Sequence, residues 1–216
     1  EKSCKVVLVG EAGVGKTNII NRYTLGKYNN NERSSDSASF VSKMIPLENN
    51  HKIRLDIWDT AGQELYRSIN KFFYKDALIA ILVYDITNER SFYELRDYWY
   101  KQLKEEGEPE IIIGVAGNKC DLFATEKVNE NEVRGWAKKI GAAFRLTSAS
   151  ENMGIDELFY DLIHKFDDNN YQFGKKLEDT KSNSSGGNQK DEIIESDSFF
   201  KKLCGSCSIC NCKCNS

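Results

Sequence analysis

Residues 1–170 predict a doubly wound α/β fold: a mostly parallel six-stranded sheet, one antiparallel edge strand, and helices on both faces. Three observations carry this. Short apolar runs alternate with helical stripes along the chain, one further run alternates residue by residue, and glycine-rich or charged turns close the runs at their carboxyl ends. Lys5–Gly10 (KVVLVG), Leu78–Asp85 (LIAILVYD) and Ile111–Asn118 (IIIGVAGN) are continuously apolar, as parallel strands covered on both faces must be. Lys52–Trp58 differs, because Ile53, Leu55 and Ile57 alternate with Lys52, Arg54 and Asp56. That is the period of a half-exposed strand. It follows Ser39–Leu47 across a Glu48-Asn49-Asn50 turn, so the two predict an edge hairpin. Phe92, Leu95, Trp99 and Leu103 form one helical stripe, and Val133, Trp136, Ala137 and Ile140 form another. The clearest runs Ile155, Leu158, Phe159, Leu162, Ile163, Phe166, the i, i+3, i+4, i+7 pattern of a core-facing helix. Right-handed crossovers between such strands leave ligands outside their carboxyl ends.

Composition bounds the rest. The chain has 216 residues and a net charge of -3, with 30 basic and 33 acidic side chains, which leaves no electrostatic footprint for nucleic acid. Apolar residues at 40% permit a packed core. No run reaches the ~18 apolar residues of a membrane-spanning helix, and Glu1–Gly10 does not read as a secretory signal. From Asp167 to Gln189 the chain is mostly Asn, Asp, Lys, Ser and Gly, too polar to offset its ordering entropy. The expected organisation is a domain at 1–170, a flexible linker at 171–203 and a tail at 204–216. Cys204, Cys207, Cys210, Cys212 and Cys214 crowd that tail, while Cys4 and Cys120 lie in the body. A secreted disulfide scaffold spreads its cysteines through the fold, so that class is excluded.

Three segments carry chemistry. Gly10-Glu11-Ala12-Gly13-Val14-Gly15-Lys16-Thr17 matches G-x-x-x-x-G-K-[ST] between a predicted strand and a predicted helix. Its glycines let backbone N–H groups turn inward around phosphate, and the helix adds its positive end. Lys16 reaches the terminal phosphates, and the Thr17 hydroxyl is a ligand for Mg²⁺. WDTAGQE, Trp58 to Glu64, closes the alternating strand. Asp59 is placed as a second Mg²⁺ anchor, Gly62 to bring its N–H close to a terminal phosphate, and Gln63 to orient an attacking water. Asn118-Lys119-Cys120-Asp121 ends a third strand. The Asp121 carboxylate can accept from guanine N1–H and the exocyclic amine, an edge adenine lacks. Asn118 is expected to tie this loop to the phosphate loop, with the Lys119 stem over one ring face. The Thr147-Ser148-Ala149 turn is expected to supply a backbone N–H to guanine O6.

Together these segments resemble the small GTPases of the Ras superfamily from Lys5 to about Asp168, in a P-loop G domain. The Rab family fits best: WDTAGQE, the lead-in LVGEAGVGKT, the helix opening Asn88-Glu89-Arg90-Ser91-Phe92, and several terminal cysteines without a CaaX box. Ala38-Ser39-Phe40 is similar to the endosomal branch. The resemblance implies a monomeric GTP/GDP switch for intracellular vesicle trafficking on the cytoplasmic face of endomembranes, cycling with the cytosol. Its implied partners are an exchange factor, a GTPase-activating protein, GTP-state effectors, and prenylation escort and dissociation-inhibitor proteins. Tyr28 takes the place of the aromatic against guanine, Asn18 joins the nucleotide contacts, and the Ser35 hydroxyl provides a third Mg²⁺ ligand. Phe40, Trp58 and Phe73 match the hydrophobic triad that meets effectors. Prenylation is implied at Cys212 and Cys214, since two chains anchor stably where one does not. The spacing C-x-x-C-x-x-C-x-C-x-C also suits a soft metal. Intrinsic hydrolysis is expected on the order of 10⁻⁴ to 10⁻³ s⁻¹.

The chain departs from the Rab pattern at Ser35-Asp36-Ser37 for Thr-Ile-Gly, Leu65 for Arg, Lys75-Asp76 for Arg-Gly, and Ser150 for the Lys after Thr-Ser-Ala. Asp36 puts charge where an apolar effector residue is usual, and Ser37 removes a flexible glycine. A GTP-binding docking module with impaired hydrolysis is therefore the alternative reading.

Overall fold

The computed structural model describes residues 2–30, 39–47, 52–60 and 73–182, and places side chains between 3 and 168 within them. The chain divides into two units, Glu1–Gly174 and Lys175–Ser216, and the sheet belongs to the first. Six described strands make that sheet: β1 Lys2–Val9, β2 Ser39–Pro46, β3 Lys52–Asp59, β4 Ile79–Asp85, β5 Ile112–Asn118 and β6 Ala143–Leu146. Their order is β2-β3-β1-β4-β5-β6. Only the β2–β3 pair among them is antiparallel, with Phe40 opposite Trp58. The remaining pairs are parallel. This is the doubly wound sheet with an antiparallel edge strand that the hydrophobic patterns predict.

Why the central strands read as unbroken apolar runs is visible in their two faces. Val6, Leu8, Ile79, Ile81 and Val83 pack on one side with Ile19, Ile20 and Tyr23 of α1 (Lys16–Leu25). The stripe Ile155, Leu158, Phe159, Leu162, Ile163 and Phe166 of α4 (Ile155–Ser182) lies in the same cluster. Val7, Val9, Ala80, Leu82 and Tyr84, one residue out of phase, pack on the other side. There they meet Phe92, Leu95, Trp99 and Leu103 of α2, and Val133 and Ala137 of α3 (Glu130–Lys139). α2 comprises Glu89–Glu94, a π turn at Leu95–Trp99, and Tyr100–Glu106. Each α4 stripe residue is at most 7% exposed, and burying such a side chain contributes about 1.5–3 kcal/mol. Tyr23 and Phe159 stack at 3.7 Å between ring centroids, which locks α1 to α4.

Local chemistry sets the ends. The Asn129 side chain caps α3 by accepting the Asn131 N–H at 2.9 Å. β1 starts at Lys2, three residues before the apolar run, because its ladder with β3 begins at Lys2 opposite Ile53. α4 is Ile155–Ser182, so the helix continues beyond position 171. Among the described residues no helix is long and apolar enough to cross a membrane. Cys4 is fully buried, and burial pushes its thiol up to about 12, so it is a core side chain and not a nucleophile.

Candidate functional site

The turns after β1, β3, β5 and β6 meet at the carboxyl edge of the sheet, where a wound α/β fold places ligands. Gly10 leaves β1 at φ +148°, and Gly15 precedes α1 at φ +96°. A Cβ on Gly10 would stand 2.2 Å from the Val83 carbonyl oxygen, and one on Gly15 2.3 Å from Asn118 Nδ2. Both positions therefore require glycine. Lys16 Nζ donates to the Gly10 and Glu11 carbonyls, each at 2.8 Å, so the loop curls around its own ammonium. Lys16 is only 5% exposed. Burial lowers its ammonium to about 8, while Asp59 and Glu11 act in the opposite sense.

Thr17 and Asp59 come from sequence positions far apart yet touch. Thr17 Oγ1 donates to Asp59 Oδ2 at 2.6 Å, and Asp59 is 1% exposed at the end of β3. Next to it Thr60 Oγ1 donates to the Leu8 carbonyl at 2.6 Å, fastening the end of β3 to β1. A hydroxyl and a carboxylate converging beside an ammonium form an oxygen-only donor set, the chemistry that suits Mg²⁺.

The third motif, Asn118 to Asp121, is held by side chains reaching across loops. Asn118 Nδ2 donates to the Val14 carbonyl at 2.8 Å, joining the third motif to the phosphate loop. Thr147 Oγ1 donates to Asn118 Oδ1 at 3.3 Å. Asp121 Oδ1 accepts from Ser148 Oγ at 2.6 Å, and Ser148 Oγ also accepts the Glu151 N–H at 3.0 Å. Ala149 is buried beside it. Asn18 Oδ1 accepts the Asn29 N–H at 3.4 Å, next to the exposed Tyr28.

Asp85 is the residue the motifs did not reveal. Its Oδ2 accepts from Lys119 Nζ at 2.6 Å, its Oδ1 accepts from the Thr87 N–H and hydroxyl, and it is 7% exposed. It ends β4 opposite Asn118 in β5, so it holds Lys119 from the neighbouring strand. A buried strand closing on a carboxylate was the available signal, the same one that marks Asp59.

Phe40, Trp58 and Phe73 form a contiguous aromatic surface. Phe40 lies 5.0 Å from Trp58 and Trp58 lies 6.0 Å from Phe73, between ring centroids. Phe40 is 52% exposed. Ser35, Asp36, Ser37, Gly62, Gln63, Leu65, the Glu48-Asn49-Asn50 turn and all five tail cysteines lie outside the described residues.

Residues 5–168 match the family model described as Ras family. The protein is 41% identical over 161 residues to Ras-related protein Rab-21 of Geodia cydonium, covering 74% of this chain and 69% of that one. It is 39% identical over 165 residues to human Ras-related protein Rab-22A, covering 76% and 84%. With Ras-related protein Rab-5A of Dictyostelium discoideum it shares 40% over 161 residues, covering 74% and 79%. The chain belongs to the Rab branch of the Ras family. It is thus a small GTPase, and Ras-family proteins bind guanine nucleotide with Mg²⁺. The site of this Rab suits both groups. Thr17 and Asp59 offer hard oxygens, and at Gly13 open space remains where a Cβ would stand, room for phosphate to approach the backbone.

Proposed function

We propose that this Rab is a GTP/GDP switch with slow intrinsic hydrolysis that regulates vesicle traffic, on the endosomal side of the pathway. The observation that carries the reading is the Asn118–Val14 hydrogen bond, which makes the base-reading loop and the phosphate-binding loop one rigid cradle. One nucleoside triphosphate can then be read at both ends. The likeness to Rab-21, Rab-22A and Rab-5A supports the endosomal assignment.

In this reading the residues Gly10 to Thr17 cradle the phosphates with their N–H groups, and the phosphate oxygens keep Lys16 protonated by replacing the solvation it lost on burial. Thr17, Ser35 and Asp59 would hold Mg²⁺, which when bound neutralises charge on the triphosphate. Gln63 holds the attacking water in line with the γ-phosphate, and the Gly62 N–H contacts its oxygen. Asp121 accepts both donors of the guanine edge, the Ala149 N–H meets O6, and the Lys119 stem, braced by Asp85, covers the ring. Tyr28 closes the other side. Ser35 and Gly62 order the two switch segments while the γ-phosphate is present, and its loss releases them. The triad Phe40, Trp58 and Phe73 then presents a surface to effectors, with exchange and activating proteins setting the timing.

A single substitution tests the hydrolytic assignment. Gln63→Leu is expected to retain GTP binding while single-turnover hydrolysis, already on the order of 10⁻⁴ to 10⁻³ s⁻¹, falls at least tenfold. Hydrolysis at the unaltered rate would remove the water-orienting role from Gln63.

Attachment to membrane is assigned to the tail, 204–216, through lipid on Cys212 and Cys214 at the end of the linker. Intact mass of the full chain purified from a eukaryotic host is expected to show two prenyl groups, lost in Cys212→Ser/Cys214→Ser. A tail carrying zinc and no lipid refutes the assignment.

A further inference from the structure

α1 reaches the guanine loop through one forked side chain. Arg22 sits in the last turn of α1, and its Nε donates to the Ala149 carbonyl at 2.7 Å. One terminal nitrogen donates to the Ser150 carbonyl at 3.1 Å, the other to the Gly26 carbonyl at 3.0 Å. The guanidinium carbon lies 6.0 Å from the centre of the Tyr28 ring. One planar cation therefore touches the loop on one side of the base site and the segment on the other.

The geometry points to Arg22 as a positioning residue for guanine recognition. We infer that it aims the loop amides at O6 and thereby sets how long the nucleotide stays bound. This deepens the guanine reading above and rests on it. A peptide unit is planar, so a carbonyl held at one end fixes the direction of the N–H at the other. With the Ala149 and Ser150 carbonyls both held, the two successive peptide planes that carry the Ser150 and Glu151 N–H groups lose their freedom to rotate. Opposite them, Ser148 is held by its carboxylate bond to Asp121 and by mutual backbone bonds with Met153. The Ala149 N–H lies between these two anchors. It enters the complex already ordered, so binding does not have to order it. A planar fork holds two adjacent carbonyls and the Gly26 carbonyl just after α1 in one fixed geometry, which the rotatable ammonium of Lys does not. The clamp acts in this chain where the residue after Ala149 is Ser150, whose hydroxyl lies 3.0 Å from Ser148 Oγ and can bridge no more than its own turn.

The experiment uses the full chain and three diphosphates. GDP is the reference, 6-thio-GDP replaces the O6 acceptor with sulfur, and inosine diphosphate lacks the amine read by Asp121. In the parent, both analogues should dissociate faster than GDP. In Arg22→Gln, GDP dissociation is expected to accelerate about tenfold, the loss of charge-assisted hydrogen bonds to the loop. The preference for GDP over 6-thio-GDP should shrink by a similar factor, while the preference for GDP over inosine diphosphate stays. Arg22→Lys, which keeps the charge and loses the fork, should fall between the two. If both preferences shrink together, or neither does, Arg22 is only a structural brace and the inference is wrong. If the parent binds ADP as tightly as GDP, the guanine reading itself fails, a separate outcome from any change in O6 preference.

Discussion

Asp121→Asn is expected to lower GDP affinity by about 10³- to 10⁵-fold and to turn the preference toward xanthosine diphosphate. The carboxylate has two oxygens, and Oδ1 already accepts from Ser148 Oγ at 2.6 Å. Guanine offers two donors on its recognition edge, and an ionised carboxylate can accept both because each oxygen has two lone-pair sites. An amide keeps one acceptor and places an NH₂ where the second stood. That NH₂ either opposes a guanine donor or displaces the Ser148 hydroxyl, and both leave a buried polar group unsatisfied. Xanthine carries a carbonyl where guanine has its amine, so the new NH₂ finds an acceptor. Competition of fluorescent GDP with unlabelled GDP and xanthosine diphosphate measures both effects. A variant that binds GDP within tenfold of the parent and gains nothing for xanthine would show that another residue reads the base. Ser148→Ala should give a smaller loss, about tenfold, since it frees the carboxylate without removing it.

How much of this was legible in the sequence depends on the distance over which each signal acts. The strand runs were plain because both faces of the sheet are covered, so every residue from Ile79 to Tyr84 is apolar. The β3 alternation was equally plain, and Ile53, Leu55 and Ile57 are buried as it predicted. Motif positions were readable because phosphate-binding loops need glycine at fixed intervals. The π turn in α2 was not, since Phe92, Leu95, Trp99 and Leu103 stay on one face with spacings an ordinary helix also allows. Nor was what Asp85 and Arg22 hold. Their partners, Lys119 and the Ala149 and Ser150 carbonyls, are supplied by other strands and loops, and no local pattern encodes such a meeting. The first three residues of β1 were missed for a related reason. Pairing with β3 makes Lys2 to Cys4 a strand, while their own composition does not announce one.

Gly15→Ala should damage both the stability of the phosphate loop and its hold on nucleotide. Two costs combine there. At φ +96° an alanine is strained by roughly 1–3 kcal/mol, and its Cβ would stand 2.3 Å from Asn118 Nδ2. Asn118 is 2% exposed and uses that nitrogen to bind the Val14 carbonyl, so moving it aside leaves two buried groups unpaired at about 1–3 kcal/mol each. The expected outcome is a fall in melting temperature on the order of 10 °C and a loss of GDP affinity of at least a hundredfold. Gly13→Ala isolates the first cost: φ is +79° there, and nothing lies within 4 Å of the added carbon. It should lower the melting temperature by only a few degrees. Asn118→Ala in the Gly15→Ala background isolates the second, because the obstructing amide is gone. The double variant should therefore be more stable than the sum of the single changes predicts, by about 1–2 kcal/mol. If the changes are strictly additive, the two loops are not held in contact through Asn118. The single cradle on which the switch reading rests would then have to be abandoned.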